Sequence, residues 1–152
     1  MHELKTEHLF HYQASLEPPQ IIGPVAEGIR VNFWVSGGIV EGPRVRGRLQ
    51  PRGADFFTLR PDGVGELHVR GVIETHDGAL IDLTYDGLSD LGADAYQAFL
   101  AGELPPQLAL HTAPRLRCAQ PAYAALSRCL CIGVGVGDLN ALTVSYDVYA
   151  VR

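Results

Sequence analysis

Asp55 is the residue of this chain whose type and surroundings best suit acid–base chemistry. It follows a Pro-Arg-Gly-Ala segment at the start of a predicted strand, and Phe56 and Phe57 come directly after it. Apolar surroundings raise the pKa of a carboxyl group by desolvation, and such a group can serve as a base near neutral pH. The alternative is that Asp55 tightens the local turn by accepting hydrogen bonds from backbone N–H groups.

Arg70 lies in a long strand-like run, residues 64–76, in which polar and apolar side chains alternate. Because side chains in a strand repeat every two residues, one face of this run carries only polar groups. These are Glu66, His68, Arg70, Glu74 and His76. The face is either a polar barrel interior or the solvated outside of an amphipathic sheet. Inside a barrel, Arg70 would bind a carboxylate or an enolate through two parallel hydrogen bonds.

The Asp62-Gly63 dipeptide predicts how Asp55 and Arg70 meet. Asp-Gly between apolar runs is typical of a hairpin turn, and symmetric pairing about these two residues sets Asp55 opposite Arg70. Directly opposed residues share a face, with Cβ atoms about 5 Å apart. We therefore expect Arg70 to point into the barrel and to touch the same ligand as Asp55; otherwise the two form a plain cross-strand ion pair.

Five more side chains are candidate ligand contacts: Trp34, Phe56, Glu74, His111 and Arg115. The aromatic residues Trp34, Phe56, Phe57, Tyr85, Tyr146 and Tyr149 favour an apolar or aromatic ligand. Asp62 and Asp77 are assigned to turns, since each precedes a glycine between two apolar runs.

The cysteines and a glycine-rich run do not form a cofactor site. Cys129 and Cys131 fall on one strand face, but no second Cys pair or nearby His pair completes a metal set. Residues 133–137 read Gly-Val-Gly-Val-Gly, yet a strand follows them where a dinucleotide fingerprint needs a helix. We therefore expect neither a metal nor an organic cofactor.

Charge and hydropathy exclude several classes of partner. The formal net charge is -5 at pH 7, which disfavours nucleic acid and anionic membranes as partners, because phosphate groups attract cationic surfaces. No apolar run approaches the ~18 residues of a membrane span, and the N-terminus lacks the features of a signal peptide. The odd count of 3 cysteines fits a reducing compartment. These features predict a cytoplasmic protein with a small-molecule ligand.

Alternation of apolar and polar residues along most of the chain indicates an all-β fold. Asp62-Gly63 and Asp77-Gly78 both separate runs rich in β-branched and aromatic residues, as in an antiparallel meander. An alanine-rich segment at 92–102 predicts a short helix, and Pro121 can start a helical turn over 121–128. We predict a single domain, residues 1–152, built as a closed antiparallel β-barrel of about eight strands with one or two short helices.

The last strand predicts an oligomer. Residues 142–151 carry apolar side chains on both faces, which is more apolar surface than one barrel interior needs. A symmetric homodimer is the commonest way to cover such a surface, and we expect one here.

Motifs spread over nearly the whole chain carry a resemblance to a known family. They are residues 37–47, 51–56, 60–63, 74–81, 112–115 and 146–151. This pattern resembles the domain of unknown function family numbered 3237, the UPF0311 proteins. The resemblance implies a closed barrel of roughly eight strands in a small cytoplasmic bacterial protein, with no settled activity, and it matches Arg70 to the family motif. The chain departs from that pattern at Phe56, Gly71, His76 and 125–127, which implies a roomier and differently polar pocket.

Two classes of function fit these residues. One is a cofactor-independent isomerase, cyclase, hydratase or lyase acting on a small organic acid or ring compound, with Asp55 as base and Arg70 as anion holder. The other is a non-catalytic carrier or sensor of a small apolar ligand. An enzyme should have a buried acid facing the cavity beside Arg70, whereas a carrier should have an apolar lining and one orienting polar group.

Overall fold

A computed structural model describes residues 1–152 as ten β-strands, one α-helix and one 3₁₀ helix. The strands are β1 (Thr6–Leu16), β2 (Gln20–Val25), β3 (Gly28–Glu41), β4 (Gly47–Leu49), β5 (Ala54–Leu59), β6 (Val64–Thr75), β7 (Leu80–Asp90), β8 (Gln107–Cys118), β9 (Cys131–Asp138) and β10 (Thr143–Val151). The α-helix α1 (Ala95–Leu100) follows β7, and the 3₁₀ helix (Pro121–Arg128) follows β8. The predicted all-β class is confirmed.

The strands close into one antiparallel barrel with eight strand positions. Around the barrel the order is β1, β10, β9, β8, β7, β6, then β4 and β5 sharing one position, and β3, which pairs with β1 again. β3 is long enough to change neighbours along its length, from β2 and β5 in its first half to β1 and β4 in its second. β2 pairs with β3 alone and lies outside the closed ring.

Alternation of residue types decides which side chains face the interior. In β6, Leu67, Val69 and Ile73 are buried, whereas His68 and Arg70 between them are exposed. The other barrel strands follow the same rule, and 29 buried residues form one continuous core. The barrel interior is therefore apolar along most of its length.

Both Asp-Gly turns close hairpin loops of three residues. At the first turn, Arg60 donates its N–H to the oxygen of Val64 at 2.9 Å, and Gly63 donates to the oxygen of Arg60 at 3.0 Å. Gly63 has a φ of 87°, in the left-handed region that glycine adopts without strain. This arrangement is typical of a type I turn followed by a glycine bulge, which adds one residue to the loop.

Each helix covers one end of the barrel. α1 lies at the end of the first Asp-Gly turn, where Ala95 and Phe99 pack against the core. The predicted stop at Gly102 is confirmed by its φ of 82°. At the other end, the hydroxyl of Tyr123 in the 3₁₀ helix donates to Asp77 at 2.8 Å, which ties that helix to the second Asp-Gly turn.

The outer surface of β9 carries exposed apolar side chains. Val134 and Val136 are among them. The homodimer itself stays a prediction. Neither helix has the length and hydropathy needed to cross a membrane.

Candidate functional site

A small apolar cavity inside the barrel holds the candidate site. Its volume is about 50 Å³, which is room for a few waters. Aliphatic and aromatic side chains from opposite walls line it, including Val35, Leu49, Phe57, Leu67, Leu83 and Leu108. Asp55 is the only carboxylate among the lining residues.

The side chain of Asp55 is fixed at a point where the pairing of β5 with β6 is interrupted. β5 and β6 pair at Asp55 with Val69 and again at Thr58 with Glu66, but not in between. In this gap the N–H of His68 donates to Oδ1 of Asp55 at 3.0 Å, so the carboxylate takes the place of a main-chain acceptor. Oδ1 is therefore anchored by the backbone, while Oδ2 has no donor in the protein.

Burial sets the protonation of Asp55. Desolvation raises the pKa of this half-buried carboxyl from 3.8 to about 7, against the lowering effect of the bond from His68 and of the His68 charge. Asp55 forms no ion pair that would hold it ionised. Because a pKa near 7 leaves both forms populated at neutral pH, the group can accept a proton and return it.

Three tyrosines share the cavity with Asp55. The hydroxyls of Tyr12 and Tyr85 are hydrogen-bonded at 2.6 Å, and the ring of Tyr146 packs against both, with centroid distances of 5.1 Å and 5.5 Å. Burial raises the pKa of all three well above the ordinary tyrosine value, and the charge of Asp55 adds to the effect. All three therefore stay protonated at neutral pH and can donate hydrogen bonds.

Tyr146 has the one hydroxyl of this cluster without a partner. Its oxygen is buried and makes no hydrogen bond to the protein. A buried hydroxyl without a partner costs free energy, so such groups are rare unless a ligand or a water completes them. The cavity thus combines one base with hydroxyl donors on an otherwise apolar wall.

Arg70 does not join Asp55 in the cavity. Its side chain is exposed on the outer face of β6, and it borders the cavity only as part of the barrel wall. The predictions that Arg70 points into the barrel and that it opposes Asp55 are wrong. Because the turn has three residues, Asp55 pairs with Val69 and Arg70 with Ala54, and a one-residue shift sends a side chain to the other face.

The polar stripe of β6 is the solvated outside of the barrel, as the second interpretation of the sequence had it. His68 bonds the outer carboxylate of Asp86 at 2.7 Å, and Glu74 accepts a bond from Nε of Arg48 at 2.5 Å. Asp55 and Arg70 therefore do not form the cross-strand ion pair that was the alternative to a shared ligand; other residues make the cross-strand contacts of this face.

The five other predicted ligand contacts also lie outside the cavity. Trp34, Phe56, Glu74, His111 and Arg115 are all exposed or half-buried on outward positions of their strands, and none lines the interior. A ligand inside the barrel would not reach these five side chains, because they are on the outer face; that they bind a ligand stays a prediction. Phe56 and Arg115 instead line an outer groove together with Arg70.

Sequence reasoning named part of the aromatic lining and missed two members. Phe57, Tyr85 and Tyr146 face the cavity, whereas Tyr149 lies on the outer face beside His8. Tyr12 and Phe33 also line the cavity and were missed. Both alternate in phase with other buried residues of their strands, and only the closure of the barrel turns these places into cavity positions.

The chain resembles proteins of one family and one barrel fold. The model of a family described as protein of unknown function (DUF3237) matches residues 4–151. A UPF0311 protein of Rhodopseudomonas palustris (strain TIE-1) is 30% identical over 150 residues, which is 97% of each chain. A solved structure of a conserved protein of unknown function from Rhodopseudomonas palustris shares 27% identity and a TM-score of 0.85, with 100% of both chains covered. An enzyme from Penicillium herquei has a TM-score of 0.69 over 98% of this chain and 95% of its own; at 21% identity this shows likeness of fold alone.

Proposed function

This chain belongs to the DUF3237 family, the UPF0311 proteins, and from its cavity we propose that it is a cofactor-independent acid–base catalyst for a small carbonyl compound. The observation that carries the proposal is a carboxyl with a pKa of about 7, Asp55, facing an apolar cavity. Hydroxyl donors that stay protonated stand in the same cavity. A base beside neutral donors, shielded from water, suits proton abstraction next to a carbonyl group.

Asp55 would act as the base. Its carboxylate accepts a proton from the carbon next to the substrate carbonyl, and the electron pair of that C–H bond moves to form an enolate. In an isomerisation, Asp55 returns the proton to a different carbon of the same molecule. In a cyclisation, the enolate carbon attacks a second carbonyl of the substrate, and the proton from Asp55 ends on the new alkoxide oxygen.

The tyrosines would stabilise the enolate oxygen. Tyr146 can donate directly, because its hydroxyl has no partner in the protein. In the Tyr12–Tyr85 pair one hydroxyl donates to the other, which leaves one further proton free for a ligand. Hydrogen bonds of this kind gain strength where water is excluded.

The size of the cavity limits the substrate. The cavity volume of about 50 Å³ is about a third of the ~150 Å³ that holds benzene in an engineered cavity, so a one-ring compound would have to move the lining side chains apart. Gly71 and Gly137 leave part of this space open, because neither carries a side chain. The lining favours an apolar or aromatic body with one carbonyl oxygen near the tyrosines.

A carrier of a small apolar ligand is the second candidate. The observation in its favour is the lining itself, which is hydrophobic apart from Asp55 and a few hydroxyls. In a carrier, Asp55 and Tyr146 would only orient the ligand.

Exchange of carbon-bound protons in D₂O separates the two candidates. We would incubate the protein with a panel of one-ring ketones and aromatic ketones and follow loss of the proton next to the carbonyl by NMR. Asp55→Asn should slow exchange by about 10²–10⁴-fold, the usual contribution of a general base. Asp86→Asn, which alters a carboxylate on the outer face, is the matched control and should exchange at the parent rate. Saturable binding without exchange in any protein would favour the carrier.

A further inference from the structure

A groove on the outside of the barrel gathers several basic side chains. It lies over β6, β7 and β8 and has a volume of about 350 Å³. Its outward side chains are Phe56, His68, Arg70, Thr84, Asp86, Ala113, Arg115 and Arg117. These residues are on the face opposite to the cavity of Asp55, so the groove is a separate place on the molecule.

Strand register sets the arrangement of the groove. Arg70 of β6 pairs with Thr84 of β7, which pairs with Arg115 of β8. The three side chains therefore stand in one row, with the arginines on either side of the threonine and about 10 Å apart across two strand spacings. Long side chains at this separation can converge over the threonine hydroxyl.

The two arginines of the row are not neutralised by the protein. Arg117 is paired with Asp82 at 3.5 Å. Nδ1 of His68 lies 2.7 Å from Oδ1 of Asp86, the one carboxylate that lines the groove. No carboxylate lies within ion-pair distance of Arg70 or Arg115. Arg70 and Arg115 therefore stand without ion pairs in one concave place of a chain whose net charge is -5.

One wall of the groove is aromatic. Phe56 lies beside the row, because its strand β5 pairs with β6 and its side chain lines the groove together with His68 and Arg70. Its ring is held edge-on by Trp34, at a centroid distance of 5.8 Å and an interplanar angle of 86°. An aromatic ligand could therefore pack on a ring whose orientation is already fixed.

We propose that this groove binds the carboxylate of a small aromatic acid. Arg70 and Arg115 hold the carboxylate through charge-assisted hydrogen bonds, the planar fork of guanidinium being suited to that group. The Thr84 hydroxyl donates to the same carboxylate, and the ring of the acid packs against Phe56. The proposal stands on the outer face alone and does not depend on catalysis in the cavity.

Calorimetric titration with benzoate at low salt tests the assignment on the full-length chain. Arg70→Gln and Arg115→Gln should each weaken benzoate binding by about tenfold or more, because each loses a charge-assisted pair. Arg128→Gln is the matched control, since Arg128 is exposed on the 3₁₀ helix, forms no ion pair and does not line the groove, and it should bind like the parent. Asp55→Asn should also bind like the parent, which keeps this result independent of the cavity.

Two comparison titrations test the aromatic part. Acetate and inorganic phosphate should bind more weakly than benzoate, and Phe56→Leu should reduce the affinity for benzoate while leaving that for acetate unchanged. Equal benzoate affinity in the Arg70 and Arg115 variants and the parent would overturn the site. Equal losses in Arg128→Gln, or tighter binding of phosphate than of benzoate, would overturn the assignment to an aromatic acid.

Discussion

The main-chain N–H of His68 lies 3.0 Å from Oδ1 of Asp55, at the point where the ladder between β5 and β6 is interrupted. Backbone geometry rather than a neighbouring side chain thus fixes the carboxylate toward the cavity. The bond uses one oxygen and leaves the other free toward the interior. Replacement of the His68 side chain would keep this anchor, because the donor belongs to the backbone.

The pKa of Asp55 predicts how stability depends on pH. An unfolded Asp has a pKa near 3.9, whereas Asp55 in the folded chain has a pKa of about 7. Between these values the folded state binds more protons than the unfolded state, so this group lowers the free energy of unfolding as pH rises from about 4 to 7. The loss amounts to at most about 4 kcal/mol and is complete above pH 7.

Asp55→Asn should remove this component. The amide oxygen can still accept the bond from His68, and no charge has to be buried at high pH. In urea denaturation at pH 5 and pH 8, we expect the parent to lose more stability than the variant over this interval, and the variant to be the more stable protein at pH 8. Equal pH dependence in both proteins would contradict the raised pKa.

Two Tyr→Phe substitutions in the tyrosine cluster should change the free energy of unfolding in different ways. Tyr12→Phe leaves the buried hydroxyl of Tyr85 without its 2.6 Å partner, which should cost about 1–3 kcal/mol of unfolding free energy. Tyr146→Phe removes a buried hydroxyl that has no partner in the protein, so it should leave stability unchanged or raise it. Chemical denaturation of both variants measures the contrast, and a larger loss in Tyr146→Phe would contradict it.

Gly71 predicts a way to close the cavity without disturbing the barrel. A Cβ at this position would meet only Cδ1 of Leu49, at 3.4 Å, so Gly71→Ala should be tolerated. Gly71→Leu should fill the cavity and abolish binding of a one-ring apolar probe such as toluene, followed by NMR shifts of the lining residues. Ala125→Leu, at an exposed position, should bind toluene like the parent. Undiminished binding in Gly71→Leu would place the probe elsewhere.

The sequence carries the fold because strand alternation and turn chemistry agree along the chain. Leu67, Val69 and Ile73 are in step in β6, and the Asp-Gly dipeptides mark both its ends. The same pattern cannot tell which face lines a barrel once the loop length is uncertain. One further residue in the first turn, with Gly63 at a φ of 87°, moved Arg70 from the predicted interior to the outside.

The candidate site was predictable only in part. Asp55 could be singled out from its apolar neighbours, since desolvation is a local effect. The tyrosine cluster could not, because it depends on pairing between distant parts of the chain: Tyr12 of β1 pairs directly with Tyr146 of β10, and Tyr85 reaches them across the interior. Such contacts follow from barrel closure rather than from any local spacing.

Turnover, once a substrate is found, should follow the ionisation of the same carboxyl. The basic form of Asp55 is the active one, so kcat/KM should rise with pH, with the slope of one proton, and level off above about 7. A profile that falls over this range would point to a different base. Tyr146→Phe should lower the plateau value of kcat/KM and leave the midpoint of the pH profile nearly unchanged, because the Tyr146 hydroxyl acts mainly on the enolate oxygen.

The most direct test of Asp55 as a base is a measurement of its pKa by ¹³C NMR of the side-chain carboxyl carbon. Assignment rests on the loss of one resonance in Asp55→Asn, and the titration runs from pH 3 to pH 9. We expect a midpoint of about 7 for this one carboxyl, and a higher midpoint when a neutral ring ketone occupies the cavity and desolvates it further. A midpoint near 4, the value of an ordinary exposed aspartate, would contradict the role of Asp55 as a base.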